Sequence, residues 1–264
     1  MSRDYSAQKR ARNCTRASAA LATLLLLSVS PAPAPAQSPP ANDADRGAIA
    51  GAVVYDGPRY PMQPINMDAD PRCVAQHTEE PARHESLVLG DAGTLGNVLV
   101  EVIDGPALGL DTPVPTEPAT LDQHGCRYSP RVLVVRAGQP LRILNPDGTT
   151  HNVHMMARVN DQVNLGMRPD RTEAIVTFDE PEEIFPVKCD VHPWMRAYCA
   201  VVTHPFHAVT PRAGDYAIDG LTPGTYTVRA WHELLGTREA EVDVRAGETA
   251  TLNFTFSRSR GSGR

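Results

Sequence analysis

Short runs of alternating apolar and polar residues dominate the chain, and they predict strands joined by turns. "GAIAGAVVYDG" (47–57) alternates small and branched residues and stops at a turn. "LGNVLVEVIDG" (95–105) repeats the pattern after a polar stretch, about 62–95, that holds Cys73, His77 and His84. A proline-rich crossing (106–120) follows. Strands are then expected in "RVLVVRAG", "QPLRILNPDG", "THNVHMMA", "EAIVTFDEPEEIFPVKC" (two strands and a turn) and "MRAYCAVVTH". The habit continues through "GDYAIDG", "GTYTVRAWHE", "EAEVDVRAG" and "ETATLNFTF". No long stretch repeats apolar residues at helical spacing. Strands at this spacing predict an all-β chain built from two sandwiches, each with a modest core.

Composition agrees: aromatic residues are only 5%, while 19 Gly and 24 Pro supply turns. The first residues differ. Lys9, Arg10, Arg12 and Arg16 precede the apolar run "ASAALATLLLLSVS" and then "PAPAPAQS". That order predicts a secretory signal peptide over 1–36, cleaved after Ala36, with an uncleaved anchor as the alternative. Export places the chain in the periplasm or outside the cell, with no stable membrane span after cleavage. Residues 1–36 carry five basic residues and one acid, so their removal takes the formal charge from −6 to −10. An acidic protein gains nothing from counterion release at phosphates, which excludes nucleic acid as an expected partner. Four cysteines remain: Cys73, Cys126, Cys189 and Cys199.

The chemistry concentrates in "VKCDVHPWMRAY" (187–198), where Cys189, His192 and Met195 form Cys-x-x-His-x-x-Met. Thiolate and thioether are soft donors and imidazole is borderline, a set that favours copper. Zinc prefers four ligands of Cys, His or carboxylate type. A blue-copper centre needs two histidines, so one must come from elsewhere. "HNVH" offers His151 and His154 on one expected strand. Alternation sends them to opposite faces. His151, nearest the turn "NPDGTT", is the one expected to reach the ligand loop, with Asn152 bonding across to that loop.

These segments closely resemble the cupredoxins, the blue (type 1) copper proteins, with a short, amicyanin-like ligand loop. "CRYSPRVLVVRAGQPLRILNPDGTTHNVHM" and "TFDEPEEIFPVKCDVHPWMRAYCAVV" carry the resemblance over about 118–203. It implies one mononuclear copper held by His151, Cys189, His192 and Met195, with Asn152 supporting the thiolate. It also implies that the edge of His192, flanked by Pro193 and Trp194, breaks the surface and hands electrons to a redox partner such as a cytochrome or a dehydrogenase. A two-copper site would need a second loop cysteine, and only Cys189 is there. "MMARVNDQVNLGMRPDR", Cys126 and Cys199 depart from the pattern.

"GAIAGAVVYDG…LGNVLVEVIDG" and "GDYAIDGLTPGTYTVRAWHELLG" resemble a second family, the carboxypeptidase regulatory-like (prealbumin-type) sandwich. Its two pieces flank the copper pattern, so the expected architecture is an insertion. A leader (37–45) precedes the first part of the regulatory-like sandwich (46–117). The cupredoxin domain (118–203), the second part (204–257) and a disordered tail (258–264) follow. No acid/base pair or substrate pocket is evident, so the expected role is not enzymatic. Copper delivery, or a cell-surface carbohydrate-binding module, are the alternatives.

Other candidates carry less. His232 and Glu233 lack the second histidine of a zinc protease. His204, His207 and His232 are candidates for a second metal site where the two domains touch. His77 and His84 are expected to be solvated, and Met155, Met156 and Met167 to fill core or loop. Cys73 and Cys126 are candidates for a disulfide tying the first segment to the copper half. Cys199, in an apolar strand, is expected to be a buried free thiol.

Overall fold

The computed structural model describes residues 45–258. The expected signal peptide, all but the last residue of the leader and all but the first residue of the tail lie outside them. In chain order the strands are β1 (Gly47–Tyr55), β2 (Leu99–Asp104), β3 (Ala119–Asp122), β4 (Val132–Arg136), β5 (Pro140–Leu144), β6 (His151–Met155), β7 (Val163–Met167) and β8 (Glu173–Thr177). They continue with β9 (Glu182–Lys188), β10 (Arg196–Val202), β11 (His207–Val209), β12 (Asp215–Leu221), β13 (Gly224–His232), β14 (Gly236–Val244), β15 (Thr249–Thr251) and β16 (Phe254–Phe256). One short helix, α1 (Pro71–Ala75), lies in the polar stretch after β1. The described chain is all-β apart from such short turns of helix.

Pairing sorts the strands into two sandwiches. β1 runs antiparallel to β12 and parallel to β15 and β16. The facing sheet runs β11-β2-β13-β14. Strands from both ends of the sequence therefore share one core, in which Ile49, Val53, Val100, Val102, Tyr226 and Val228 are fully buried. Each such aliphatic side chain contributes roughly 1.5–3 kcal/mol relative to exposure. The small residues of β1 have a packing reason: a Cβ on Gly51 would lie 1.8 Å from the Leu252 carbonyl oxygen.

The strands between form the second sandwich. One sheet runs β4-β10-β9-β6-β7 and the other β3-β5-β8. Leu121, Leu141, Ile143, Val153, Met155 and Met167 fill its core. Alternation on β6 turns His151, Val153 and Met155 inward. β9 and β10 pair antiparallel with Lys188 opposite Arg196, so residues 189–195 are a tight loop at one end of the five-stranded sheet. A small seam of Leu99, Val132 and Ala200, with Trp231, joins the two sandwiches.

The polar stretch departs from the expected first part of the regulatory-like sandwich. Met67, Cys73 and Ala82 pack into the core of the second sandwich instead. Pro71 starts α1 and the Asp70 carboxylate caps it by accepting from the Arg72 amide (2.9 Å). The helix is held onto the second sandwich by a disulfide between Cys73 and Cys126.

Candidate metal centre

Three side chains converge at the end of the second sandwich. His151 at the start of β6, and Cys189 and His192 on the β9–β10 loop, bring one donor atom each within 4.8 Å of the others. All three are buried, at 0%, 3% and 2% exposure. Met195, 1% exposed, closes the same loop. The loop is braced by bonds from the Cys189 amide to the Met195 carbonyl (3.2 Å) and from the Met195 amide to the His192 carbonyl (2.9 Å). His154 is turned away and pairs with Asp190 at 3.2 Å.

Each imidazole is held from behind by a carboxylate. His151 Nε2 lies 2.9 Å from Asp147 Oδ2, and His192 Nε2 lies 3.1 Å from Asp70 Oδ2. A carboxylate only accepts, so each Nε2 is the donor and each neutral ring presents its Nδ1 lone pair to the front. The two Nδ1 atoms face one another at 2.9 Å, with Cys189 Sγ 4.0 Å from that of His192. Several lone pairs aimed at one buried point fit a cation, and the donor types fit copper.

The surroundings of the sulfur favour its ionised form. Burial alone would raise the Cys189 pKa, but bonding to His151 and to the amides of Asn152, His192 and Val191 brings it below the usual thiol value. The Asn152 and His192 amides point at Sγ from 3.5 and 3.3 Å. Asn152 also accepts from the Asp190 amide through Oδ1 (2.6 Å) and donates to Asn164 (2.9 Å), tying strand to loop. The Tyr128 hydroxyl donates to the Asn152 carbonyl. Burial opposes the charged form of Asp147, but bonds from His151 and from the Cys126 and Gly125 amides prevail and lower its pKa. His151 is correspondingly raised against its own burial, whereas burial keeps His192 below the ordinary histidine value.

One expectation is corrected. The edge of His192 does not break the surface, because the α1 segment lies over it. Cys73 Sγ is 3.9 Å from His192 Nε2, and Asp70 is fixed by Thr149 Oγ1 (2.8 Å) as well as by the Arg72 amide. The neighbour with a surface face is Trp194, whose ring centroid is 4.9 Å from that of His192. His77 is also not simply solvated: its Nε2 meets the Gly125 carbonyl at 2.8 Å. His84 is exposed.

His204, His207 and His232 form no shared donor cluster among the described residues. His204 Nδ1 accepts from the Phe206 amide and His232 Nδ1 from the Leu234 amide, so these two rings shape turns. Cys199 is a buried free thiol whose pKa is pushed far up by desolvation. Sequence reasoning missed Asp70 and Asp147. Asp147 stood in "NPDGTT", where a turn aspartate is ordinarily solvated. The one signal for Asp70 was its position three residues before Cys73.

No helix of the described residues is long and apolar enough to cross a membrane. A comparison with curated proteins finds no match. Among solved structures, the chain is similar to a copper-containing nitrite reductase from Thermus scotoductus SA-01, at 20% identity and TM-score 0.30, over 36% of this chain and 26% of that one. It therefore spans about a quarter of the reductase. It is similar to a point mutant of amicyanin in its Cu(I) form, at 21% identity and TM-score 0.29, over 39% of this chain and 97% of that one. A purple cupredoxin from Nitrosopumilus maritimus aligns at 19% identity and TM-score 0.27, over 31% of this chain and 98% of that one. Residues 200–257 match the family described as carboxypeptidase regulatory-like domain.

Proposed function

We propose that the chain is an exported protein that holds one mononuclear copper through His151, Cys189, His192 and Met195 and carries electrons between redox partner proteins. The observation that supports it most is the convergence of two imidazole nitrogens and the Cys189 sulfur within 4.8 Å in a buried site beside Met195. A copper ion bound there supplies one-electron chemistry between two oxidation states.

The chain's residues do the rest. Asp147 and Asp70 fix both rings in one tautomer and orientation. The amides of Asn152 and His192 stabilise the sulfur anion. Burial of all four side chains excludes water. Donors braced this tightly hold their places when the charge of the site changes by one. With His192 covered, Trp194 offers the short aromatic route outward, between exposed Pro193 and the Arg196 side chain. The closed cap disfavours rapid metal exchange, and so weighs against copper delivery. In this reading residues 1–36 direct export, and the split regulatory-like sandwich, built from β1, β2 and residues 204–257, carries the copper domain (118–203), onto which the polar stretch around Met67, Cys73 and Ala82 folds.

The test is titration of the purified protein with copper(II), followed by visible and electron paramagnetic resonance spectra. One equivalent should produce an intense thiolate-to-copper absorption, lost in Cys189→Ser, and a reversible one-electron wave in voltammetry. A colourless protein would defeat the reading.

A further inference from the structure

We infer that the Cys73–Cys126 disulfide is a latch that positions both imidazoles at once, through Asp70 on one side and Asp147 on the other. The inference rests on the reading of His151 and His192 as metal ligands. On one side of the bridge, the Cys73 amide bonds to the Asp70 carbonyl (3.0 Å), and the Asp70 carboxylate takes the His192 Nε2 proton donor at 3.1 Å. On the other side, Gly125 and Cys126 are consecutive left-handed residues, with φ of 69° and 52°. That conformation is unusual for a cysteine and turns two successive amides toward one anion. Both donate to Asp147, at 3.0 and 2.7 Å, and Asp147 Oδ2 holds His151 Nε2 at 2.9 Å. One covalent bond thus joins the helix that carries Asp70 to the turn whose two amides hold Asp147.

The surroundings reinforce this joint. The Arg72 guanidinium donates to the Gly148 carbonyl, in the turn that carries Asp147. His77 holds the Gly125 carbonyl, and Trp194 Nε1 donates to the Cys126 carbonyl at 3.1 Å. Asp70 reaches His192 across 122 residues of sequence, and Thr149 Oγ1, which also bonds its carboxylate at 2.8 Å, is a single contact from the turn that carries Asp147. A cross-link that served only to staple the chain would have no need to meet the two ligand-holding carboxylates. Asp70 and the bridge are therefore positioning residues, acting on the metal site through the imidazoles.

The test uses the full-length, copper-free protein and acylation by diethyl pyrocarbonate, mapped by peptide mass spectrometry. His124, whose side chain is 73% exposed, is the internal standard. In the unaltered protein His192 and His151 should react far more slowly than His124. In Cys73→Ser/Cys126→Ser both should speed up by at least about tenfold, and copper(II) release to a chelator should quicken by about 10–100-fold, the usual effect of losing a ligand's supporting partner. Asp70→Ala should expose His192 alone, and Asp70→Asn, which keeps an acceptor, should restore most of its protection. The latch is overturned if the serine pair folds, by near-ultraviolet circular dichroism, with His192 as protected as before. If the serine pair fails to fold, Asp70→Ala decides: unchanged protection of His192 refutes the inference and selective exposure supports it. Absence of copper binding by the unaltered protein would refute the metal reading and leave the acylation pattern readable.

Discussion

The His192 imidazole rests its Nε2 on the Asp70 carboxylate at 3.1 Å, so the ring on the ligand loop is anchored by a residue 122 positions earlier in the chain. The contact adds negative charge behind a donor that already faces the Cys189 sulfur. Negative charge near a metal favours its higher oxidation state. Asp70→Asn should therefore raise the reduction potential of the copper-loaded protein by tens of millivolts, where about 59 mV corresponds to a tenfold change for one electron. Protein-film voltammetry reads it directly. A downward shift would mean that the anion does not stabilise the oxidised site.

Asn152 yields a second prediction. Its Oδ1 receives the Asp190 amide at 2.6 Å and lies 3.4 Å from Cys189 Sγ. Asn152→Ala strips a partly buried amide of its acceptor, which costs about 1–3 kcal/mol. Copper retention should fall by about 10–100-fold, because the loop loses its tie to β6. Urea denaturation of the copper-free protein and competition with a chelator separate the two effects. Lower stability with unchanged retention would make Asn152 a brace for the fold alone.

The all-β character was readable because period-two alternation in runs such as "RVLVVR" and "TYTVRAW" needs no tertiary information. The convergence of His151 on the ligand loop was readable in outline because strand alternation leaves only one histidine of "HNVH" facing inward. The cap over His192 was not. Asp70, Arg72 and His77 sit in a polar stretch with no period, and their roles arise from contacts to residues far along the chain, about 120 positions away for Asp70. A charged residue in a polar stretch is ordinarily solvated, and for Asp70 the contacts with His192 and Thr149, on a helix bonded to Cys126, reverse that. The same long-range contact explains why residues 62–82 pack with the second sandwich although they follow a strand of the first.

The joint between the sandwiches gives a third prediction. Arg131 and Glu233 form a two-pronged pair at 2.8 and 2.7 Å, with side chains only 12% and 6% exposed. Arg131 also donates to the Arg196 carbonyl at 2.9 Å, next to Met195, and the Tyr198 hydroxyl donates to Glu233 at 3.2 Å. Removing one partner strands a buried charge. Arg131→Ala or Glu233→Ala should each cost about 3–5 kcal/mol, whereas replacing both with methionine should cost much less. A double-mutant cycle on denaturation free energies measures the coupling. Additive losses would show that the two residues act independently.

The fourth prediction concerns acid. Burial pushes His204 down to about 4, helped by the charges of His207 and Arg136, and pushes His232 down to about 4, helped by Arg131. In the unfolded chain both titrate near the ordinary value of 6.5. Between pH 6.5 and 4 the unfolded state therefore binds more protons than the folded one, and stability must fall as the pH is lowered through that window. The loss is on the order of 3 kcal/mol per histidine across the full window. His207 and His192, both lowered by burial, add slope of the same sign. His151, which is raised, acts oppositely: its contribution is complete below 6.5 and is lost as pH climbs through its folded value. Lowered aspartates such as Asp147 lose their contribution only below their ordinary value of 3.8, beneath the window, whereas Glu182, lowered from 4.5, adds slope of the same sign at the acid edge. Asparagine at 204 or 232 keeps an acceptor for the Phe206 or Leu234 amide and removes the titration. Denaturation midpoints from pH 4.5 to 7.5 should therefore flatten by about one proton's slope in His204→Asn and again in His232→Asn. An unchanged slope in both would mean that these rings are protonated inside the fold, against the burial that surrounds them.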